Sequence, residues 1–200
     1  MPPMSNDRKT TIADAALDIL ATAGSRGLTH RAVDALAGLP DGSTSSCCRT
    51  RLDLVTLALH RHAARNLDDL QEDASVLALD APSLTKFIDT LVNRLEDWMS
   101  PAKRARVTAQ IEIFLIASRE PSLQAVVDSQ HQHFVDATKA ALLRLGVKKP
   151  DSVATGLMAT VNGILLGQVV NSQFKPDRKT MKAILMRAVQ ELSVPTSRST

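Results

Sequence analysis

Two hundred residues allow one or two domains, and 44% hydrophobic against 22% charged residues exclude a disordered or fibrous chain. With 24 Lys+Arg against 21 Asp+Glu the formal net charge is +3, which permits a nucleic-acid partner without demanding one, because binding follows clustered charge. Aromatic residues make up only 2%, so the core has to be built from Ala and Leu on helices, giving an all-α fold.

From Arg8 onward Ile12, Ala16, Ile19, Leu20 and Ala23 recur at helical spacing, and Gly24 stops this first helix. Thr29 takes an N-cap position ahead of a second, short helix with Val33, Leu36 and Ala37 on one stripe and Gly38 at its end. Pro40, Asp41 and Gly42 are turn chemistry, after which a third helix of about two turns runs through STSSCC. Thr50 caps a long fourth helix whose Leu52, Val55, Leu59, Leu67 and Leu70 face the bundle and whose end falls near Ala74. Proline and glycine then punctuate five more helices, at 83–99, 101–118, 122–145, 151–174 and 177–192. The tail from Val194 has no periodicity and is expected to fray.

Several function classes fall away on chemistry. The uncharged run 152–174 is long enough to cross a membrane, but Thr155, Thr160, Asn162, Gln168, Asn171 and Gln173 indicate a buried helix of a soluble protein instead. The N-terminus lacks the apolar run of a secretory signal, and adjacent Cys47 and Cys48 are too close for ordinary disulfide geometry, so a cytoplasmic setting is expected. His60 with His62, and His131 with His133, point to different sides of a helix, so neither a metal site nor any other cofactor is expected. Phosphate-binding, nucleophile-elbow and zinc-protease motifs are all missing from the sequence, which argues against an enzyme.

What remains is the pair of short helices joined by a glycine-containing turn, which reads as a helix-turn-helix whose second member enters the major groove of double-stranded operator DNA. Ser43, Thr44, Ser45, Ser46 and Cys47 are small enough to let that helix approach, and their polar groups can meet phosphates and base edges. Arg49 and Arg51 follow where the chain leaves the groove, suited to phosphates, and Thr29 and His30 open the preceding helix toward the same backbone. A thiol-responsive sensor built on Cys47 and Cys48, and an all-helical interaction protein without DNA binding, are the alternative readings.

The stretch ILATAGSRGLTHRAVDALAGLPDGSTSSCCRTRLDLV resembles the tetracycline-repressor (TetR) family of transcription regulators. The likeness lies in a first helix ending in glycine, a Leu-Thr start to the second, Ala-Gly-Leu closing it, Gly-Ser-Thr opening the third and a basic residue before the fourth. It implies roles for Thr29, Ser43 and Arg51 at the DNA, whereas Ser45 and Cys48 stand where relatives usually carry Tyr and Phe. It also implies a DNA-binding domain over 1–50 and a helical ligand-binding and dimerisation domain over 51–200, acting as a ligand-responsive repressor.

The residues support a homodimer independently. Gly156, Gly163 and Gly167 share one nearly bare helix face, and Met181, Ile184, Leu185 and Ala188 form an apolar stripe on the last helix, so two helices per subunit could build a two-fold interface. For a small, largely apolar effector the candidates are the bulky or polar side chains of the middle helices: Phe87, Leu91, Trp98, Gln110, Glu112, Phe114, Phe134 and Met158.

Overall fold

The computed structural model describes residues 5–78 and 81–193, and the tail from Val194 lies outside them. The described residues form nine α-helices: α1 Ser5–Gly27, α2 His30–Ala37, α3 Ser43–Cys47, α4 Arg51–Ala78, α5 Leu84–Trp98, α6 Arg104–Ala117, α7 Pro121–Arg144, α8 Pro150–Val170 and α9 Arg178–Ser193. Each expected helix is present. The ends differ by a few residues, as fraying and capping dictate; α4 continues to Ala78 because no Pro or Gly interrupts it. The chain divides into two compact units, Met1–Leu67 with Pro101–Ser129, and Asp68–Ser100 with Gln130–Thr200.

In the first unit α1 packs on α6 and α2, and α2 on α3. Ile12, Leu20, Leu28, Val33, Leu54, Leu59, Ile113 and Leu123 are buried in one apolar cluster; each such side chain contributes about 1.5–3 kcal/mol by leaving water. The apolar stripe expected on α2 is corrected: Leu36 is 56% exposed, and it is Asp34 beside Val33 that turns inward. The face of α4 is corrected too. Leu52 and Leu67 are exposed, while Leu54, Val55, Ala58, Leu59, His62, Asn66 and Asp69 are buried, so the inward stripe turns from apolar to polar along the helix. A polar stripe survives burial only if its groups are paired. Arg106 Nη2 donates to Asn66 Oδ1 at 2.6 Å, which leaves the Asn66 amide to donate to His62 Nε2 at 2.9 Å.

In the second unit α9 packs on α8 and α5. Ile88, Val92, Leu95, Val153, Leu157, Val161, Leu185 and Val189 are buried there. Asp69, near the end of the polar stripe, accepts from Trp98 Nε1 at 2.8 Å and lies 3.3 Å from Arg94. Arg94 also pairs with Glu72, Asp73 and Asp97. The helix α8 is long and apolar enough to cross a membrane by composition, and it is the one such helix among the described residues.

Gly24 breaks α1 where the sequence places its end. Its φ of 62° and ψ of −169° lie where only glycine is comfortable, and a Cβ there would come to 3.5 Å from the Glu112 carboxylate. Gly24→Ala is therefore expected to cost about 1–3 kcal/mol, read from the urea midpoint of the full chain.

Candidate nucleic-acid interface

The turn between α2 and α3 is held by one carboxylate. Gly38 closes α2 in the left-handed region, and the chain returns through Pro40–Gly42 so that Asp34 faces the start of α3. Asp34 Oδ2 accepts from the Gly42 N–H at 2.9 Å, and Oδ1 accepts from the Thr44 N–H at 2.7 Å and the Thr44 hydroxyl at 2.6 Å. Burial pushes the Asp34 carboxyl upward, but the hydrogen bonds from the Thr44 hydroxyl, the Thr44 amide and the Gly42 amide outweigh it and hold it below the usual carboxylate range.

This lock corrects the expectation for Thr44, which is fully buried with its hydroxyl given to Asp34 and not turned toward a partner. Helical geometry then decides which neighbours face outward. Ser45 and Ser46 are exposed, Ser43 and Cys47 half-buried, and Cys48 buried. The Ser45 and Ser46 hydroxyls donate to the Gly42 and Ser43 carbonyls at 3.2 and 2.7 Å, leaving their oxygen lone pairs as acceptors on the outer face.

Around α3 stand the flanking groups. Thr29 caps α2, its Oγ1 accepting from the Ala32 N–H at 3.1 Å. His30 Nε2 donates to the Cys48 carbonyl at 2.7 Å, tying the start of α2 to the end of α3. Thr50 and Asp53 cap α4 reciprocally: Asp53 N–H donates to Thr50 Oγ1 at 3.0 Å and Thr50 N–H to Asp53 Oδ2 at 2.9 Å. Arg49 is exposed just ahead of that cap, and Arg31 on α2 and Lys9 on α1 are exposed as well, two cations that sequence alone did not single out. Lys9 is near enough to Cys48, at the end of α3, to act on its thiol, a placement that nothing in the local sequence signals.

Arg51, expected on phosphate, is exposed and gives one guanidinium nitrogen to Ser25. Its Nη2 donates to the Ser25 carbonyl and, at 2.7 Å, to the Ser25 hydroxyl. The Ser25 N–H in turn donates to Glu112 Oε2 at 3.2 Å. The break at Gly24 thus leaves the Ser25 peptide groups outside the helical ladder, and α6 and α4 supply their partners. Glu112, a candidate for the effector, is part of this junction.

The other sequence candidates fall as follows. Gln110, Glu112 and Phe114 belong to the first unit, and Phe87, Leu91, Trp98, Phe134 and Met158 to the second. Phe87 is buried, the rest of the second group half-buried, and Trp98 meets Phe134 edge to face at 6.2 Å between ring centres. On α8 and α9 the glycine face is partly covered by the same chain: a Cβ on Gly156 would come to 2.2 Å from Leu192 Cδ1, and one on Gly167 to 2.7 Å from Phe174. Gly163 has open space before it. Met181 and Leu185 are buried within the unit, while Ile184 and Ala188 are half-exposed. The α8 face left uncovered runs through Thr155, Ala159, Asn162, Gly163, Leu166 and Val170, a helical stripe next to the glycines.

Comparisons with known proteins agree with this arrangement. The model of the tetracyclin repressor-like C-terminal domain matches residues 82–191. A TetR-family member from Streptomyces coelicolor A3 is 26% identical, with 91% of this chain and 98% of that one covered and a TM-score of 0.72. The multidrug-binding protein EbrR, solved with ethidium, is 27% identical over 92% of this chain and 99% of its own, with a TM-score of 0.69. A transcriptional regulator from Rhodococcus sp. Rha1, at 20% identity, shares the fold over 94% of this chain and 96% of its own, with a TM-score of 0.77. No curated protein matches. The chain belongs to the tetracycline-repressor-like family, and it is a DNA-binding, ligand-responsive transcription regulator.

Because the folded Asp34 carboxyl titrates below its unfolded value of about 3.9, its contribution is complete above about pH 4 and is lost as pH falls through the folded value. Asp34→Ala is expected to lose about 3 kcal/mol at pH 7, since buried donors are left unpaired. The gap to the parent should narrow on acidification toward pH 3, as measured by urea unfolding across that range.

Proposed function

We propose that this regulator is a homodimeric, cytoplasmic repressor that reads its operator with the outer face of α3 and releases it when a small, largely apolar effector binds. The observation that carries the DNA reading is the split of the STSSC helix into Thr44, buried on Asp34, and Ser45 and Ser46, exposed with acceptor oxygens outward. Such oxygens suit the amino groups that adenine and cytosine present in the major groove. Thr29, Ser43 and Cys47 border that face, and Lys9, Arg31 and Arg49 supply positive charge for phosphates.

Two-fold pairing is supported by the uncovered α8 stripe, where Leu166 is 46% and Val170 68% exposed beside the open face of Gly163. Within the first unit, α6 reaches Ser25 through Glu112 and α4 reaches it through Arg51, so a ligand that shifts α6 acts directly on the end of α1. Burial, with neighbouring Cys47, pushes the Cys48 thiol up to about 12, which disfavours Cys48 as the reactive group of the thiol-sensor alternative.

Selection of bound duplexes from a random pool is expected to return an inverted repeat. On that sequence Arg49→Ala should lower affinity for all sites alike and reduce the salt slope by about 1, whereas Ser46→Ala should change the preferred base at one position. Gly163→Arg should give a monomer in sedimentation that fails to occupy both half-sites; binding with no preference for a repeat, unaltered in all three variants, would refute the reading. For the effector, Trp98 is the only tryptophan, and its indole is pinned by Asp69 and Phe134. Ethidium, which EbrR holds, is expected to quench Trp98 emission saturably and to lower operator affinity over the same concentrations. Quenching without release of DNA would separate ligand binding at Trp98 from regulation.

A further inference from the structure

The two exposed hydroxyls of α3 face outward as acceptors. Ser46 gives its proton to the Ser43 carbonyl at 2.7 Å and Ser45 to the Gly42 carbonyl at 3.2 Å, so each turns oxygen lone pairs to the outside. Redirecting either proton to a partner breaks a bond that the helix already makes, and the shorter bond holds Ser46 the more firmly. The rest of α3 adds no strong donor. Its sequence, STSSC, contains no Arg, Lys, Asn or Gln, and the Thr44 hydroxyl is held by Asp34. A guanine edge, which offers only the acceptors N7 and O6 in the major groove, therefore finds little to pair with on this helix. Adenine and cytosine each offer an amino group there, which is what an acceptor can read.

In a Watson–Crick pair one hydrogen of that amino group bonds the opposite base, and the other points into the major groove. The second hydrogen is the one a serine oxygen takes. It also marks the position a methyl group must occupy when the amino nitrogen is methylated and the base pair is kept. Methylation thus sets an apolar group against the acceptor and leaves that oxygen unpaired. The helix resists backing away, because Asp34 holds its start through Gly42 and Thr44 and His30 holds its end through the Cys48 carbonyl. Ser46 has a single heavy-atom torsion to turn, and turning it gives up the bond to Ser43.

We propose that methylation of base amino groups, at N6 of adenine or N4 of cytosine, switches operator binding by this protein, with Ser46 as the residue that meets the methyl group. This switch rests on the DNA reading above and adds to it an input carried by the operator itself, separate from any effector.

The experiment uses the duplex returned by selection, remade with N6-methyladenine or N4-methylcytosine at one position at a time, and follows binding of the full chain by fluorescence anisotropy. At one position in each half-site the amino methyl is expected to lower affinity at least about tenfold. A 7-deazapurine in the same base pair removes N7 but keeps the amino groups, and is expected to cost less than about twofold. Ser46→Ala should bind the unmodified duplex more weakly and lose the methyl penalty at that position, with circular dichroism confirming its fold. Equal binding of methylated and unmethylated duplexes, a 7-deaza penalty as large as the methyl one, or a methyl penalty that survives Ser46→Ala would overturn the proposal. In each of those outcomes the unmodified duplex is still bound, whereas a chain that binds no duplex at all overturns the DNA reading first.

Discussion

A single buried carboxylate sets the angle between α2 and α3. A five-residue helix cannot hold itself in water, because nucleating a helical turn costs more than so few hydrogen bonds return. The start of α3 is instead built on Asp34, whose two oxygens take the Gly42 amide and both donors of Thr44. His30 supplies the matching tie at the other end, through the Cys48 carbonyl. The short helix is thereby fixed at both ends by α2, and Ser45 and Ser46 are left on its free side. The hydroxyls turned outward and the hydroxyl that holds the scaffold come from the same run of small polar residues.

That double use explains what the sequence could and could not reveal. Period and punctuation were enough for nine helices, since Leu and Ala spacing, caps such as Thr29, Thr50 and Ser83, and the Gly and Pro stops are all local. The stretch around α3 was legible as a helix-turn-helix for the same reason. Thr44 was not separable from Ser45 and Ser46, because its inward rotation depends on an aspartate ten residues away that reads locally as a solvated position of α2. The signal that could have found it is an acid beside Val33 on the inward side of a short helix, followed by Gly-Ser-Thr. On α4 the inward positions are His62, Asn66 and Asp69, and an apolar template passes over them because their burial depends on Arg106, Trp98 and Arg94 from other helices. The glycine row of α8 was visible, but not that Leu192 and Phe174 of the same chain rest against two of its members.

The second unit gathers its charge in the opposite manner to the first. Arg94 is nearly buried among Asp69, Glu72, Asp73 and Asp97, and burial raises the Asp73 carboxyl even though the guanidinium pulls it down. The first unit instead leaves Lys9 on α1, Arg31 on α2 and Arg49 after α3 exposed. A modest net charge of +3 therefore conceals a strong local division, and the overall balance carries little information about either face.

The peptide at Ser25 has its amide held by an acid and its carbonyl by a base, each contributed by a different helix. Reversing the sign of either side chain would set a donor against a donor or an acceptor against an acceptor, and no change at the other position could compensate, because the main chain keeps its N–H and its carbonyl whatever side chain it bears. A junction of this kind holds residues 51 and 112 each to its own sign, one by one, through the polarity of a single peptide.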